Sequence, residues 1–455
     1  MSFFKAYDMR GTFGVDFDLE TVYKVGKALP QVVKGGRWLV GRDCRTTSKD
    51  VRGALVKGLE ESGAEVTDLG LCTTPMVYFF TAEESFDGSV MITASHNPPS
   101  DNGLKVSMRT ALPVGYANGL NEVERIVNAE PASQGIPELA GNPPGNLHAI
   151  SKIKDSALKT YLEWMKARRP DFGGLRFAVD CSNGMASILV HELFPDAVVI
   201  NDTLDGTFPN HSPNPLKAEA REQIAALVRE RKLDCGLIFD GDADRCMFVD
   251  ERGEFVQPDY LVPIVARASG ISSGSRIIHD VRTSRGAIEE LRRTGCEPVM
   301  VPVGHAFAKP ILRKIGAVCG GELAGHYYFS EFHGCDSGVL AALRVLGEVA
   351  KAKAAGVTFS EMMGPISGVY ANSGELNFKV EDKDAAIARV LAAAAAKLPR
   401  EVSRSEIDGI RIEYAEGWIN IRKSNTEPYL RLIIECDATE RLKSWTSVLK
   451  TAIEA

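Results

Sequence analysis

The sequence lacks long hydrophobic runs and closely spaced pairs of cysteines. No apolar stretch in its 455 residues approaches the roughly 20 residues that a membrane-spanning helix needs, and residues 1–5 do not begin a signal peptide. We therefore expect a cytoplasmic protein without a membrane partner. The nine cysteines are odd in number and scattered, which argues against a disulfide framework and predicts reduced thiols in the core.

The chain also lacks the excess of basic residues that is typical of nucleic-acid-binding proteins. It has 53 Lys and Arg against 60 Asp and Glu, a formal net charge of −7, so we expect no nucleic-acid partner. An anionic substrate must then be attracted by local clusters of Arg and Lys. At 455 residues the chain is long enough for three or four domains.

A serine loop follows a predicted strand in the first quarter of the chain. Residues 89–92 are apolar and predict the strand, and the Asn-Pro-Pro of residues 97–99 prevents a helical continuation. Ser95 and His96 therefore lie in a loop at the end of a strand, where α/β proteins keep their chemistry. This pattern predicts that Ser95 presents an exposed hydroxyl and acts as a nucleophile toward phosphoryl groups.

Three carboxylates alternate in a second loop. Asp240, Asp242 and Asp244 lie between apolar strands predicted over residues 235–239 and 246–249. Their two-residue spacing aims the side chains the same way and offers the oxygen ligands that Mg²⁺ prefers. Arg245 comes next and supplies a fixed cation for a phosphoryl group in transfer.

Two further loops carry groups suited to a sugar phosphate. In residues 321–326, Glu322 and His326 can exchange hydrogen bonds with sugar hydroxyls. Near the C-terminus, a loop after a strand over residues 418–421 concentrates cationic groups, hydroxyls and an amide, which is typical of a site for a phosphate dianion. The candidate phosphate ligands there are Arg422, Ser424, Asn425, Thr426 and Arg431.

Together these segments resemble the signatures of the α-D-phosphohexomutases, the superfamily of phosphomannomutase, phosphoglucomutase and phosphoglucosamine mutase. The resemblance extends over nearly the whole chain. It also includes residues 4–11 (Phe-Lys-Ala-Tyr-Asp-Met-Arg-Gly), 41–43 (Gly-Arg-Asp), 73–75 (Thr-Thr-Pro) and 303–305 (Val-Gly-His). Four signatures in this order and at this spacing are specific, although any one of them alone would not be.

The resemblance implies a serine that is phosphorylated in the resting enzyme, here Ser95, and a Mg²⁺ bound by Asp240, Asp242, Asp244 and an oxygen of the phosphoserine. The phosphoryl group passes to the free hydroxyl of a hexose phosphate. The resulting hexose 1,6-bisphosphate reorients and returns its other phosphate, so that positions 1 and 6 exchange. The bisphosphate is accordingly expected as an activator.

By the same resemblance, the proton of the attacking hydroxyl could pass to any of four groups: Lys105, His96, His305 and Arg10. The sequence does not choose among them. Lys105 would need a lowered pKa to act as the base, which neighbouring cations could supply. The resemblance also implies substrate contacts from Tyr7, Arg282, Gly304 and Ala324, in addition to Glu322 and His326.

One loop departs from the family pattern. Many relatives carry Ser before the Gly-His, and phosphoglucosamine mutases typically have Glu-Gln-Ser, whereas this chain has Glu322-Leu323-Ala324. The missing hydroxyl argues against glucosamine phosphate and leaves mannose and glucose open. We expect a phosphomannomutase that also accepts glucose phosphates, because the two C2 epimers share the O3 and O4 hydroxyls. The alternatives are glucose or glucosamine phosphate as the main substrate, a phosphatase, or a non-catalytic sugar-phosphate sensor.

An approximate internal repeat predicts the fold. Strands over residues 36–43, 175–180 and 275–280 each precede a helical pattern and a second strand, which indicates three related α/β domains with mixed sheets. From about residue 370 the pattern becomes a separate α+β domain. The expected domains are residues 1–146 with the serine loop, 147–253 with the acidic loop, 254–366 with the sugar-recognition loop, and 367–455 with the phosphate loop. Their signatures are expected to meet in a central cleft.

Overall fold

The computed structural model describes residues 3–130, 147–424 and 429–455, and only the backbone of residues 147–155. Within these ranges the strands form four sheets. No helix in the described part of the chain is long and apolar enough to cross a membrane. All nine cysteines are free thiols, and all except Cys44 are buried.

The first domain has a mixed sheet in the order β3-β2-β4-β5-β1. Strand β2 pairs in parallel with both β3 and β4, and β5 pairs antiparallel with β4 and β1. The short β6 pairs with β5. Its strands are β1 (Met9–Thr12), β2 (Arg37–Arg42), β3 (Glu65–Leu71), β4 (Gly88–Ile92), β5 (Asp101–Met108) and β6 (Leu112–Pro113), and its helices are α1 (Leu19–Val32), α2 (Ser48–Glu61), α3 (Thr74–Glu83) and α4 (Leu120–Ala129).

The second domain repeats this arrangement in the order β8-β7-β9-β10-β11. Strand β7 pairs in parallel with β8 and β9, and β10 pairs antiparallel with β9. Its elements are α5 (Leu147–Lys166), β7 (Phe177–Asp180), α6 (Val190–Leu193), β8 (Val198–Ile200), α7 (Ala218–Arg231), β9 (Cys235–Phe239), β10 (Cys246–Val249) and β11 (Phe255–Val256). The helical pattern predicted between the first two strands of this repeat contains a 3-10 turn (Met185–Ile188) and the four-residue α6.

The third domain has the order β13-β12-β14-β15-β16, with the same parallel and antiparallel relations around β12. Its elements are α8 (Val262–Ala268), β12 (Arg276–Asp280), α9 (Arg285–Arg293), β13 (Glu297–Val301), α10 (His305–Ile315), β14 (Cys319–Gly321), β15 (Tyr327–Phe329), β16 (Cys335–Asp336), α11 (Gly338–Ala354) and α12 (Phe359–Ser367). The prediction of three related α/β domains with mixed sheets is confirmed.

The repeat explains why three signatures come together. The serine loop joins β4 to β5, the acidic loop joins β9 to β10, and residues 322–326 join β14 to β15. Each is the connection from a central parallel strand to the antiparallel strand beside it. The three functional loops therefore occupy equivalent positions in three copies of one topology.

The fourth domain is an antiparallel sheet with two helices. The sheet has the order β17-β22-β21-β20-β19, and β18 also pairs with β22. Its elements are β17 (Ala371–Asn372), β18 (Leu376–Phe378), α13 (Lys383–Lys397), β19 (Ser403–Ser405), β20 (Ile410–Tyr414), β21 (Gly417–Lys423), β22 (Leu430–Cys436) and α14 (Thr439–Glu454). The α+β prediction is confirmed, although β17 and β19 were not predicted because they are only two and three residues long.

The first three domains share a hydrophobic core, whereas the fourth domain has a separate one. One core is shared by the first three domains and includes Phe79, Phe239 and Leu340. The fourth domain has a core of its own, between its sheet and helices α13 and α14. Between the third and fourth domains lies a small apolar cluster of Leu323, Trp418 and Ile433. The exact domain boundaries stay a prediction, and the one at residue 146 lies next to residues outside the described part.

Candidate active site

Ser95 lies in the loop between β4 and β5, with its backbone in the left-handed region (φ 52°). Its hydroxyl donates a hydrogen bond to Asp240 Oδ2 at 2.7 Å and lies 3.1 Å from His96 Nδ1. The expectation of an exposed hydroxyl was wrong, because Ser95 is only 2% exposed. The acidic loop covers it: a Cβ at Gly241 would lie 2.5 Å from the Ser95 carbonyl oxygen.

Arg45 holds the serine loop in this shape. The buried guanidinium donates from Nη1 to the carbonyl oxygens of Pro98 (2.6 Å) and Asp101 (2.9 Å). Nη2 donates to those of Ser95 (2.9 Å) and Asn97 (2.7 Å). The planar guanidinium thus donates hydrogen bonds to four backbone carbonyl oxygens of the loop. In a helix or a strand, backbone N–H groups would donate to such oxygens instead.

The three aspartates of the acidic loop form a buried cluster. One carboxylate oxygen each from Asp240, Asp242 and Asp244 lie within 4.8 Å of one another, and all three residues are fully buried. Burial, and next the charge of Asp244, raises the pKa of Asp240 well above its usual range. A bound cation would offset both effects, so the cluster fits a hard divalent metal.

Lys105 and Thr74 position the second aspartate. Lys105 Nζ lies 2.6 Å from Asp242 Oδ2 and 2.7 Å from Asp244 Oδ2, and the Thr74 hydroxyl also donates to Asp242 Oδ2. Burial lowers the pKa of Lys105, but the two carboxylates outweigh burial and raise it above its usual value. A lysine that acts as a base needs a lowered pKa, so these neighbours do not favour Lys105 as the base.

Two arginines, Arg245 and Arg10, contact the serine loop. Arg245 Nε lies 3.0 Å from Asp240 Oδ2, and Nη2 donates to Ser95 Oγ at 3.4 Å. Burial, and next the charge of Arg10, lowers the pKa of Arg245 to about 9. Arg10 donates to Asn97 Oδ1 at 3.1 Å and is also paired with an aspartate two residues earlier. The structure therefore brings Arg245 into contact with Ser95, and Arg10 into contact with Asn97 of the same loop, while their roles in catalysis stay a prediction.

Tyr7, Gly304 and His305 form one contact between the first and third domains. The Tyr7 hydroxyl donates to the Val303 carbonyl at 3.1 Å, and its ring packs edge-on against His305. Gly304 has φ 114°, and a Cβ there would lie 3.1 Å from the Tyr7 ring. Burial, and next the charge of Lys309, lowers the pKa of His305 well below its usual range. His305 is therefore a neutral imidazole at neutral pH.

His326 is oriented by an aspartate that the sequence analysis did not identify. Its Nδ1 lies 2.7 Å from Asp336 Oδ2 and 3.8 Å from Asp244 Oδ1. The other oxygen of Asp336 lies 2.7 Å from Lys309 Nζ, and both of these residues are fully buried. The pairing fixes the ring plane of His326 beside the acidic cluster.

The loop at residues 322–326 presents Glu322 and docks against the fourth domain. Glu322 accepts hydrogen bonds from the Tyr328 hydroxyl and from the Gly304 backbone N–H (3.2 Å). Leu323 packs on Trp418 in the interdomain cluster, so it is an interdomain contact. Ala324 is partly exposed and offers no polar side-chain atom.

Three arginines from two domains converge on one carboxylate. Glu375 Oε1 lies 3.0 Å from Arg422 Nη2 and 3.4 Å from Arg282 Nη1, and Oε2 lies 3.1 Å from Arg431 Nη1. Arg282 also lies 3.8 Å from Glu322, which links this arginine cluster to the sugar-recognition loop. Among the predicted phosphate and substrate ligands, the structure thus gathers Arg282, Arg422 and Arg431.

The remaining phosphate-loop residues lie at the tip between β21 and β22. The Ser424 backbone N–H donates to the Tyr429 carbonyl at 2.9 Å, which closes the loop. Asn425 and Thr426 lie outside the described residues. Their predicted contacts stay a prediction.

Comparisons with known proteins identify the family. Four family models match in order, described as phosphoglucomutase/phosphomannomutase alpha/beta/alpha domain I (residues 1–134), domain II (156–253), domain III (257–366) and the C-terminal domain (375–449). A phosphomannomutase of Escherichia coli is 36% identical over 451 residues, which cover 96% of each chain. The chain belongs to the phosphoglucomutase/phosphomannomutase family.

Other members of the phosphoglucomutase/phosphomannomutase family match over the same length. Phosphohexose mutases of Xanthomonas campestris pv. campestris are 36% identical over 442 residues, which cover 95% of this chain and 94% of the relative. A crystal structure of a phosphoglucomutase/phosphomannomutase family protein from Burkholderia thailandensis has a TM-score of 0.84 at 28% identity, covering 99% of this chain and 97% of that one. The four-domain architecture is therefore that of the family.

The sequence analysis missed several residues that shape the site of this family member. Thr74 lies within the Thr-Thr-Pro motif, but nothing local indicates its contact with an aspartate 168 positions away. Arg45 follows the Gly-Arg-Asp motif by two residues, Asp336 lies in the two-residue strand β16, and Glu375 directly precedes β18. Each acts through a residue distant in the sequence, and no short-range pattern signals such a contact.

Proposed function

We propose that this family member is a phosphomannomutase, which interconverts mannose 1-phosphate and mannose 6-phosphate through phosphorylated Ser95. The observation that carries the proposal is the presence of two separate sites. Ser95 Oγ lies 2.7 Å from Asp240 within a buried acidic cluster, and a distinct cluster of arginines lies at the third and fourth domains. A mutase needs both, because one phosphate reacts while the other is held.

Ser95 accepts and donates the transferred phosphoryl group. In the first half-reaction, the bond between phosphorus and Ser95 Oγ breaks as the free hydroxyl oxygen of the sugar bonds to phosphorus. The hydroxyl loses its proton, and Ser95 regains one. In the second half-reaction, Ser95 Oγ attacks the other phosphate and the isomeric sugar phosphate leaves. His96, with Nδ1 3.1 Å from Ser95 Oγ, is placed to carry the serine proton.

Fixed cations support this transfer. Arg245 reaches Ser95 Oγ directly, and Lys105 lies between two of the aspartates. In a buried site such groups stabilise the charge that collects on the phosphoryl oxygens. Since its neighbours raise the pKa of Lys105, its contribution is that of a cation. Among the four candidates, the imidazoles of His96 and His305 are left to accept the proton of the sugar hydroxyl.

The acidic cluster supports a bound Mg²⁺. Asp240, Asp242 and Asp244 would hold it, and when bound it offsets negative charge on the phosphoryl group and on the departing serine oxygen. In the described part of the chain, Asp242 Oδ1 and Asp244 Oδ1 are buried and accept no hydrogen bond. Buried carboxylate oxygens without a donor fit the ligand set of a cation.

The arginine cluster supports binding of the phosphate that is not reacting. Arg422 Nε is a buried donor with no acceptor among the described residues, and Arg422 faces Arg431 across β21 and β22. Such a cluster can bind a phosphate dianion in either orientation of the sugar. Reorientation requires the bisphosphate to keep or regain this contact, so a trace of hexose 1,6-bisphosphate should activate the enzyme.

Mannose phosphate is the proposed main substrate, and glucose phosphate a second one. Glu322 is anchored by Tyr328 and Gly304, so its carboxylate is fixed for recognition of hydroxyls shared by the two epimers. Ala324 offers no hydroxyl for a further contact, which argues against glucosamine phosphate. A phosphatase needs no second phosphate site, and a non-catalytic sensor needs neither the serine nor the aspartates.

The experiment is a comparison of kcat/KM for mannose, glucose and glucosamine 1-phosphates with Mg²⁺ and a trace of hexose 1,6-bisphosphate. We expect the highest value for mannose and a substantial one for glucose. Preference for glucosamine would mean that the role assigned to the Glu322 loop is wrong. Steady release of inorganic phosphate would favour the phosphatase, and binding without turnover would favour the sensor.

A further inference from the structure

Glu375 occupies the centre of the arginine cluster. Its two carboxylate oxygens contact Arg282, Arg422 and Arg431 at 3.4, 3.0 and 3.1 Å. The Glu375 side chain is 19% exposed, whereas those of Arg282 and Arg422 are 3% exposed. The Glu375 carboxylate thus lies among the guanidinium groups of three arginines, in the position that a bound oxyanion would take.

The backbone fixes the position of Glu375 independently of the arginines. The residue lies between β17 and β18, which both pair with β22. Gly374 has φ 65° and donates to Asn372 Oδ1 at 2.8 Å, and Ser373 exchanges two hydrogen bonds with Ile434 of β22. The turn that presents the carboxylate is therefore tied to the sheet by its own hydrogen bonds.

Three guanidinium groups concentrate positive charge around Glu375. Arg422 and Arg431 are direct partners across β21 and β22, and like charges directly opposite on a sheet repel each other. Arg282 brings a third guanidinium from the neighbouring domain, and it also pairs with Asp280 at 2.6 Å. The arginines lower the pKa of Glu375 to about 2 even though burial alone would raise it. The carboxylate is therefore ionised at neutral pH.

We propose that Glu375 is an internal anion that competes with the substrate phosphate for the arginine cluster. The inference rests on the proposed function, because it assumes that Arg422 and its neighbours bind the non-reacting phosphate. When phosphate arrives, it replaces the carboxylate on at least one arginine. When phosphate leaves, the carboxylate returns to the arginine cluster.

Competition of this kind lowers the affinity for phosphate and speeds its release. A mutase must let go of one phosphate and accept another within each catalytic cycle, since the bisphosphate reorients. Three arginines alone would bind a dianion tightly and hold it. Glu375 thereby sets the strength of this contact, while Ser95 and the acidic loop carry out the transfer.

The test compares the affinity for inorganic phosphate of the wild type, Glu375→Gln and Glu413→Gln by calorimetry. Glu413 is the matched control: it also pairs with arginines at the contact of the third and fourth domains, Arg285 and Arg411, but touches none of the cluster. We expect Glu375→Gln to bind phosphate about tenfold more tightly, as for the removal of one charged competitor. Glu413→Gln should match the wild type.

The sign of the effect decides the inference. If Glu375 only holds the arginines in place, its loss weakens phosphate binding, and an unchanged or weaker affinity overturns the proposal. Arg422→Ala tests the proposed site separately. Loss of phosphate affinity in Arg422→Ala, without a gain in Glu375→Gln, refutes the internal anion alone. No loss in Arg422→Ala refutes the phosphate site itself.

A second measurement guards against a folding defect in Glu375→Gln. Without phosphate, loss of the Glu375 charge beside the three arginines should lower the melting temperature, and phosphate should raise that temperature by more than in the wild type. The variant Glu375→Ala should show the same larger rise. An equal or smaller rise in both variants would contradict the inference.

Discussion

Replacement of Arg45 by lysine tests how the serine loop is held. The Arg45 guanidinium donates hydrogen bonds to four carbonyl oxygens of that loop, those of Ser95, Asn97, Pro98 and Asp101. A lysine ammonium keeps the charge but cannot present donors around a planar fork. Arg45→Lys therefore changes the support of the nucleophile without changing the net charge.

The expected effect follows from the hydrogen bonds that lysine cannot make. If two of the four are missing, at roughly 1.5 kcal/mol each for a charged donor, the loop is weakened by about 3 kcal/mol. A barrier raised by about 1.4 kcal/mol slows a reaction about tenfold, so the full loss corresponds to more than about 100-fold. Because the loop can relax, we expect kcat to fall between about tenfold and about 100-fold.

The assay is turnover of mannose 1-phosphate together with thermal unfolding. KM should change little, since Arg45 contacts none of the arginine cluster. The control is Arg404→Lys, which alters an exposed pair with Glu401 on the fourth domain and should leave kcat unchanged. A folded Arg45→Lys enzyme with kcat within about twofold of the wild type would show that these hydrogen bonds do not support the nucleophile, as would a loss confined to KM.

Three further predictions concern the surroundings of the site. Thr74→Val removes a hydrogen bond to Asp242 and should raise the Mg²⁺ concentration for half-maximal activity about tenfold or more, measured by titration; an unchanged titration would remove Thr74 from this role. Asp336→Asn leaves Lys309 buried without its counter-charge and should cost about 3 kcal/mol of stability in denaturant unfolding; a loss below about 1 kcal/mol would contradict the buried pair. Burial raises the pKa of Asp259 to about 7. The folded state then holds this proton more tightly than the unfolded chain, so the wild type loses stability as pH rises from about 4 to about 7. The free energy of unfolding of Asp259→Asn should therefore rise by about 2 kcal/mol relative to that of the wild type between about pH 5 and pH 8. A difference between the two proteins that does not vary with pH would contradict this.

The sequence predicted the elements whose signals are local. Strand β22 (Leu430–Cys436) and helix α14 (Thr439–Glu454) follow the hydrophobic pattern residue by residue. The serine and acidic loops were found because polar residues interrupt apolar strands. The three-fold repeat was also visible, because each copy has a strand, a helical pattern and a second strand in the same order.

What the sequence could not predict depends on contacts between distant segments. Ser95 is buried because Gly241, in another domain, packs on its carbonyl oxygen. Neighbouring carboxylates raise the pKa of Lys105, although the sequence analysis invoked neighbouring cations that would lower it. Glu375 meets its arginines only because the turn before β18, the strands β21 and β22, and a loop of the third domain converge. Such effects depend on tertiary packing, which local propensity and spacing do not encode.

Mass spectrometry of the protein shows whether the phosphoryl group passes through Ser95. After incubation with hexose 1,6-bisphosphate and Mg²⁺, the peptide containing Ser95 should carry one phosphoryl group, and Ser95→Ala should carry none. Addition of a hexose monophosphate should remove that group at the rate of turnover. Turnover without phosphate on Ser95, or phosphate on a different residue, would contradict the account.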